Sequence, residues 1–118
     1  MDVSALKGKT LTRVQVLGDE EIIFACDDDT VYKMYHDQNC CENVTIEDVN
    51  GEWEDLLNKP LLIAEEVSNE NEGPNPDNDD SYTWTFYRFA TINGWVVLRW
   101  YGSSNGYYSE RVDFTRIE

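Results

Sequence analysis

The sequence predicts a mainly β chain of the α+β class: a single antiparallel, strongly twisted sheet, or a small barrel or sandwich, of about seven strands with one short helix and an acidic loop. Three observations carry that prediction. Apolar and polar residues alternate from Thr10 to Asp37, with breaks at Gly18-Asp19 and at Asp27-Asp28-Asp29. Aromatic and β-branched runs flank Asn93-Gly94, a strong hairpin signal because both residues tolerate the positive φ of a tight turn. Between positions 69 and 80 there is no aromatic or aliphatic side chain to bury.

Taken in order, the stretch from Thr10 to Asp37 reads as three short antiparallel strands. Leu11, Val14, Val16, Ile22, Phe24, Val31 and Met34 are its inward-facing set. Val44, Ile46 and Val49 suit a strand, while Trp53, Leu56 and Leu57 stand at helical spacing before Pro60, so a short helix is expected there. "PLLIAEEV" adds a strand whose opening proline suits an edge or a strand start. Residues 69–80, "NENEGPNPDNDD", read as a mobile acidic loop. Beyond Ser81, turns at Asn93-Gly94 and Asn105-Gly106 divide the rest into three antiparallel strands.

A two-residue loop at Asn93-Gly94 would set Arg88 opposite Arg99, Tyr87 opposite Trp100 and Phe89 opposite Leu98. Two opposed arginines repel unless an anion or carboxylate lies between them. A four-residue second loop would bring Glu110 beside Arg99; a two-residue one would bring Val112.

Charge is the strongest global feature. The chain has 118 residues, 24 of them acidic and 9 basic, for a net of −15. Such a balance repels phosphate backbones and anionic membranes, and favours basic surfaces, including those that hold nucleic acid. No direct nucleic-acid binding and no membrane association are expected. No apolar run approaches the roughly eighteen residues of a membrane span, and the start lacks a signal peptide's apolar stretch. One cytoplasmic domain over 1–118 is expected. Charge is also unevenly placed: residues 81–118 hold only 3 acids, with 4 arginines and 11 of the 15 aromatics.

Reactive side chains gather in "YHDQNCCENV", which places His36, Asp37, Cys40 and Cys41 within a few positions. Zinc ligands usually stand two or more residues apart and recur in a second pair. Here the thiols adjoin and His36 is the only histidine. A mixed site of His36, Cys40 and Cys26 is one possibility; a structural turn is the favoured reading. Neighbouring cysteines seldom close a disulfide, so free thiols and a reducing compartment are expected. The acidic surroundings raise a thiol's pKa and oppose nucleophilic use. The Asp27–Asp29 run lacks the spaced acids and central glycine of a calcium loop. No phosphate-cradling glycine loop or serine elbow occurs. An enzyme, a metal and a cofactor are not expected.

Two sets of residues remain as candidates. The first is a partner-binding acidic surface: Asp27, Asp28, Asp29, Glu47, Asp48, Glu52, Glu54, Asp55, Glu65, Glu66, Glu70, Glu72, Asp77, Asp79 and Asp80. Carboxylates in such numbers can occupy a basic groove in place of phosphates. The second is a ligand site in which Arg88 and Arg99 grip a phosphate and Trp84, Phe86, Trp95 or Tyr101 offers a stacking face for a nucleotide.

Three blocks, "YKMYHDQNCCENV", "LLIAEEVSNE" and "SYTWTFYRFATINGWVVLRWYGSSNGYYSE", together resemble a family of small acidic proteins encoded largely by bacteriophages and mobile elements. The resemblance spans about residues 7 to 114 and brings no catalytic residues with it. It implies a protein made in an infected bacterial cytoplasm, where accessory proteins of this size bind host or defence proteins.

Overall fold

The computed structural model describes residues 1–75 and 78–118. Among them the strands are β1 (Leu11–Leu17), β2 (Glu21–Cys26), β3 (Val31–Tyr35), β4 (Asn43–Gly51), β5 (Ile63–Glu70), β6 (Ser81–Thr91), β7 (Gly94–Ser104) and β8 (Asp113–Arg116). The mainly β expectation holds, with two four-stranded antiparallel sheets in place of a single one. Their orders are β1-β2-β3-β8 and β4-β7-β6-β5. No closed barrel forms from them.

Alternation in the first sheet works as the sequence suggests. Ile22, Phe24 and Cys26 of β2, Tyr32 and Met34 of β3, and Phe114 of β8 are buried. In the second sheet Tyr87, Phe89, Val96, Leu98 and Trp100 are buried in the same core. Phe24 joins the two layers, with ring centroids 5.6 Å from Phe89 and 6.2 Å from Phe114. Full burial of such a ring contributes about 1.5–3 kcal/mol. The expected inward set needs two corrections: Val16 is 39% exposed, and Tyr32 rather than Val31 is inward. Val31 and Met34 lie an odd number of positions apart, and on a strand that places them on opposite faces.

The expected helix near Trp53 is a single 3-10 turn, Trp53–Leu56. It is too short to bury a helical stripe, and Leu56 alone of its residues is fully inside. A second such turn, Val3–Leu6, covers the core with Val3 and Leu6.

The terminal hairpin has a different register from the expected one. Its closing pair is Thr91 and Gly94, so Ile92 and Asn93 form the turn. Packing decides this. The Thr91 hydroxyl donates to the Asp55 carbonyl, and a Cβ added to Gly94 would lie 2.7 Å from an Asp55 carboxylate oxygen. Gly94 is thus spent on close approach to the 3-10 turn. In consequence Arg88 pairs with Val97 and Arg99 with Phe86, and the expected Arg88–Arg99 opposition is absent. The last strand also departs from expectation: β8 crosses to the first sheet and pairs with β3. Neither Glu110 nor Val112 therefore sits in a strand beside Arg99. Glu110 instead accepts hydrogen bonds from the hydroxyls of Thr83 and Ser104, 2.7 and 2.6 Å away, and Val112 is buried.

Candidate functional site

Cross-strand pairing orders the outer face of the second sheet into rows. At the hairpin end Ile63, Ala90 and Trp95 lie side by side. Next come Glu65, Arg88, Val97 and Asn50, then Val67, Phe86, Arg99 and Asp48, then Asn69, Trp84, Tyr101 and Thr45. Five of the six ligand candidates, Trp84, Phe86, Arg88, Arg99 and Tyr101, are thus on one face with the sixth, Trp95, at its end. An antiparallel sheet with one solvated face ordinarily turns polar side chains outward. This face instead carries aromatics, aliphatics and two arginines.

Residues 73–75 and Asp79, between β5 and β6, fold over the far end of that face. The Trp84 indole donates to the Pro74 carbonyl at 2.7 Å, the Tyr82 hydroxyl to the Gly73 carbonyl at 3.1 Å, and the Tyr101 hydroxyl to Asp79 at 2.6 Å. Trp84 and Tyr101, whose centroids are 4.5 Å apart, are thereby buried. At the boundary of covered and open halves lies a cavity of about 250 Å³ lined by Asn69, Glu72, Gly73, Pro74, Trp84, Phe86 and Arg99.

Each arginine has its own carboxylate. Arg88 donates to Glu65 across the β5–β6 pair. Arg99 approaches Asp48 at 3.8 Å and lies 5.4 Å above the Trp84 ring, while its Nε is buried without a hydrogen-bond partner among the described residues. The phosphate-gripping pair that the sequence suggested is therefore not assembled. Two separate ion pairs replace it.

The acidic candidates divide into groups. Glu47, at the bulge between Ile46 and Asp48, lies with Asp48 on the edge strand β4. Glu65, Glu66 and Glu70 lie on the opposite edge, β5. Three strand spacings, roughly 14 Å, separate those edges. Asp27, Asp28 and Asp29 form the β2–β3 turn in the other sheet. Some carboxylates are taken internally: Asp28 by the Lys9 ammonium at 2.6 Å, Glu66 by the Tyr87 hydroxyl at 2.5 Å, and Asp79 by Tyr101. The Lys9 and Thr30 hydrogen bonds hold the Asp28 carboxyl well below the usual carboxylate range, and Asp28 in turn raises Lys9. Burial and the neighbouring Glu66 push the Tyr87 phenol upward.

Asp27, Asp29, Glu47, Glu52, Glu54, Glu70, Glu72 and Asp80 are exposed, and their carboxylates make no hydrogen bond or ion pair among the described residues. Asp55 is half-buried against the hairpin turn. Asp77 lies outside the described residues.

Sequence reasoning missed two features here. The Asp19 carbonyl accepts from the Ile46 amide at 2.6 Å, so the acidic β1–β2 turn stands beside Glu47 and Asp48. Ile63, Val67 and Val97 complete the open half of the aromatic face. The signal for the latter was present: in "SYTWTFYRFA" both alternating sets contain large apolar residues, as in a strand covered on both sides.

The His36 region is a structural cluster around a buried acid. His36 Nε2 lies 3.0 Å from Glu42 Oε1, and its Nδ1 lies 2.7 Å from the Arg111 carbonyl. Both ring nitrogens are thus held by oxygen atoms of the surrounding loop and of Arg111. Glu42 also accepts from the Asn39 and Cys40 amides at 2.5 and 3.2 Å. These bonds, led by Asn39, bring its pKa down to about 2 against the opposing effect of burial. Cys40 and Cys41 form a disulfide with each other, a correction to the expectation of free thiols. The turn wrapped around Glu42 brings the neighbouring sulfurs together, and the cysteine count then loses its force as an argument for a reducing compartment. Cys26 is buried and free, and burial raises its thiol pKa. Among the described residues no group of three or more His, Cys, Asp or Glu side chains could hold a metal ion, so His36, Cys40 and Cys26 do not converge.

A family model described as "Domain of unknown function (DUF7448)" matches residues 4–114. The chain belongs to that family. No curated protein and no solved structure matches it. Among the described residues no helix is long and apolar enough to cross a membrane.

Proposed function

We propose that this chain is a non-enzymatic binding protein that engages a partner protein with a basic surface through its carboxylates. The biological setting we infer is phage infection, with a bacterial defence protein or a nucleic-acid-handling protein as the target to be inhibited in the host cytoplasm. The observation that carries the reading is the set of exposed carboxylates without internal partners, in a chain of net charge −15. Charge on edge strands also prevents edge-to-edge aggregation, but Asp27, Asp29, Glu52, Glu54, Glu72 and Asp80 lie outside the strands. Capture from an infected bacterial lysate followed by mass spectrometry identifies the partner. Complex formation is then titrated between low and high salt. Association through surface charge weakens steeply as the Debye length shrinks from about 10 Å at 0.1 M to about 3 Å at 1 M. An affinity indifferent to salt, and unchanged when Glu47, Glu52, Glu54, Glu70 and Glu72 become glutamine, rules the reading out.

The cavity beside Arg99 favours a second reading, a binder of a nucleotide immune signal. Its aromatic wall of Trp84 and Phe86 and the Arg99 guanidinium supply stacking and an anion contact. Calorimetry with a panel of cyclic nucleotides on wild type and Arg99→Ala tests it, and absence of heat with every member eliminates it.

A further inference from the structure

We propose that the open half of the second sheet's outer face is the docking surface of the protein, and that its occupant is a basic protein whose exposed apolar side chain is flanked by lysine and arginine. The proposal rests on the acidic-surface reading above and names where its contact centres. Ile63 is 40% exposed, Val67 54% and Trp95 54%, with Leu62 at 57% beside them. Pairing places Ile63, Ala90 and Trp95 in one row and Val97, Val67 and Phe86 in the rows behind. These side chains form an apolar strip that the Glu65–Arg88 pair interrupts on β5 and β6, and large exposed apolar patches mark interaction sites. Among the described residues nothing of the loop that shields Trp84 and Tyr101 extends over this half. Gly51 packs against the Trp95 backbone so closely that a Cβ there would lie 2.3 Å from the Trp95 carbonyl oxygen, which fixes the strand carrying the indole. Trp and Arg are the residue types that dominate binding energy at protein interfaces.

Charge selects the occupant. Both sides of the strip are bordered by acids: Glu47 and Asp48 on β4, and Glu65 on β5 with Glu72 in the adjoining loop. Arg88 and Arg99 are already matched by Glu65 and Asp48, so the border offers surplus negative charge. A second copy placed on this face would bring two such borders and two chains of −15 together, whereas a basic partner meets an apolar centre inside a complementary rim.

The test uses two short peptides of equal positive charge, both with lysine and arginine flanks, one with a Leu-Phe-Leu centre and one with Ser-Gly-Ser. Trp95 is the most exposed of the four tryptophans, with Trp84 at 7% and Trp100 at 0%, so its fluorescence reports directly on the face. The expected result is at least about tenfold tighter binding of the apolar-centred peptide, with a blue shift and protection from acrylamide quenching. Trp95→Ser and Ile63→Ser should each remove that advantage while binding of the polar peptide persists. Equal binding of the two peptides, or an advantage that survives Trp95→Ser, overturns the docking face and leaves the acidic-surface reading standing. If neither peptide binds even at low salt, the acidic-surface reading fails and this inference with it. Concentration-dependent dimerisation abolished by Trp95→Ser would assign the face to a second copy and overturn the proposal.

Discussion

The two sheets share one core but treat solvent differently. In the first, the outward row of Gln15, Ile23, Lys33 and Thr115 across β1, β2, β3 and β8 has one apolar member, and Phe24, Tyr32 and Phe114 turn inward while Tyr35 faces out beneath the Lys33 ammonium. In the second, aromatics point both ways: Tyr87, Phe89 and Trp100 inward, and Trp84, Phe86, Trp95 and Tyr101 outward. The inner set is explained by the core. Half of the outer set is explained by the loop at the far end of the sheet, and the other half has no cover among the described residues. The contrast teaches that amphipathic alternation describes a strand whose outer face meets water, and its failure marks a face whose apolar side chains solvent contact does not explain.

The largest expected effect tests the shared core. Phe89→Ala removes a fully buried ring that contacts Phe24 and Tyr87 and should cost about 3–5 kcal/mol in urea unfolding. Trp95→Ala, on the same sheet but facing out, should change stability by no more than about 0.5 kcal/mol. A comparable loss from both would erase the distinction between the two faces.

A smaller effect concerns the connection between β3 and β4, which carries the chain from one sheet to the other. Glu42 has a folded pKa of about 2 against an ordinary value of 4.5. Its charged form is therefore favoured by folding, so its contribution is fully present above pH 4.5 and is lost as pH falls from there toward about 2. Glu42→Gln should lower the urea midpoint at neutral pH and flatten the decline of stability across that acid window. An unchanged pH profile in the variant would show that the buried acid does not hold the connection.

The smallest effect belongs to the outer ion pair. Arg88 and Glu65 are 64% and 44% exposed, and pairs of that kind contribute about 0.2–1 kcal/mol. A double-mutant cycle with Arg88→Ala and Glu65→Ala should give a coupling in that range that shrinks in salt. A coupling well above it would make the pair a structural element of the sheet.

Much of the architecture was legible because alternation is a direct record of burial. The phases of β2 and β6 follow from Ile22, Phe24, Tyr87 and Phe89, and a connection before Ser81 from the lack of aliphatic side chains over 69–80, although Asn69 and Glu70, expected in that loop, continue β5. The candidate site was legible only in composition. Arg88 and Arg99 were identified as residues of interest, but their relation depends on the hairpin register. A shift of the turn from Asn93-Gly94 to Ile92-Asn93 reassigns every pair. The Cys40–Cys41 bond was likewise hidden, because neighbouring cysteines seldom meet the geometry of a disulfide.

By itself the sequence determined that the chain is mainly β, strongly acidic, and aromatic toward its end, since charge and periodicity are properties of residues and their neighbours. Only the tertiary structure decided that the strands divide into two sheets, that β8 leaves its neighbour β7 for β3, and that Arg88 and Arg99 each have a separate carboxylate. Strand partners are chosen by contacts between distant segments, such as Asp55 against Gly94. The energy of those contacts appears only when both segments are in place.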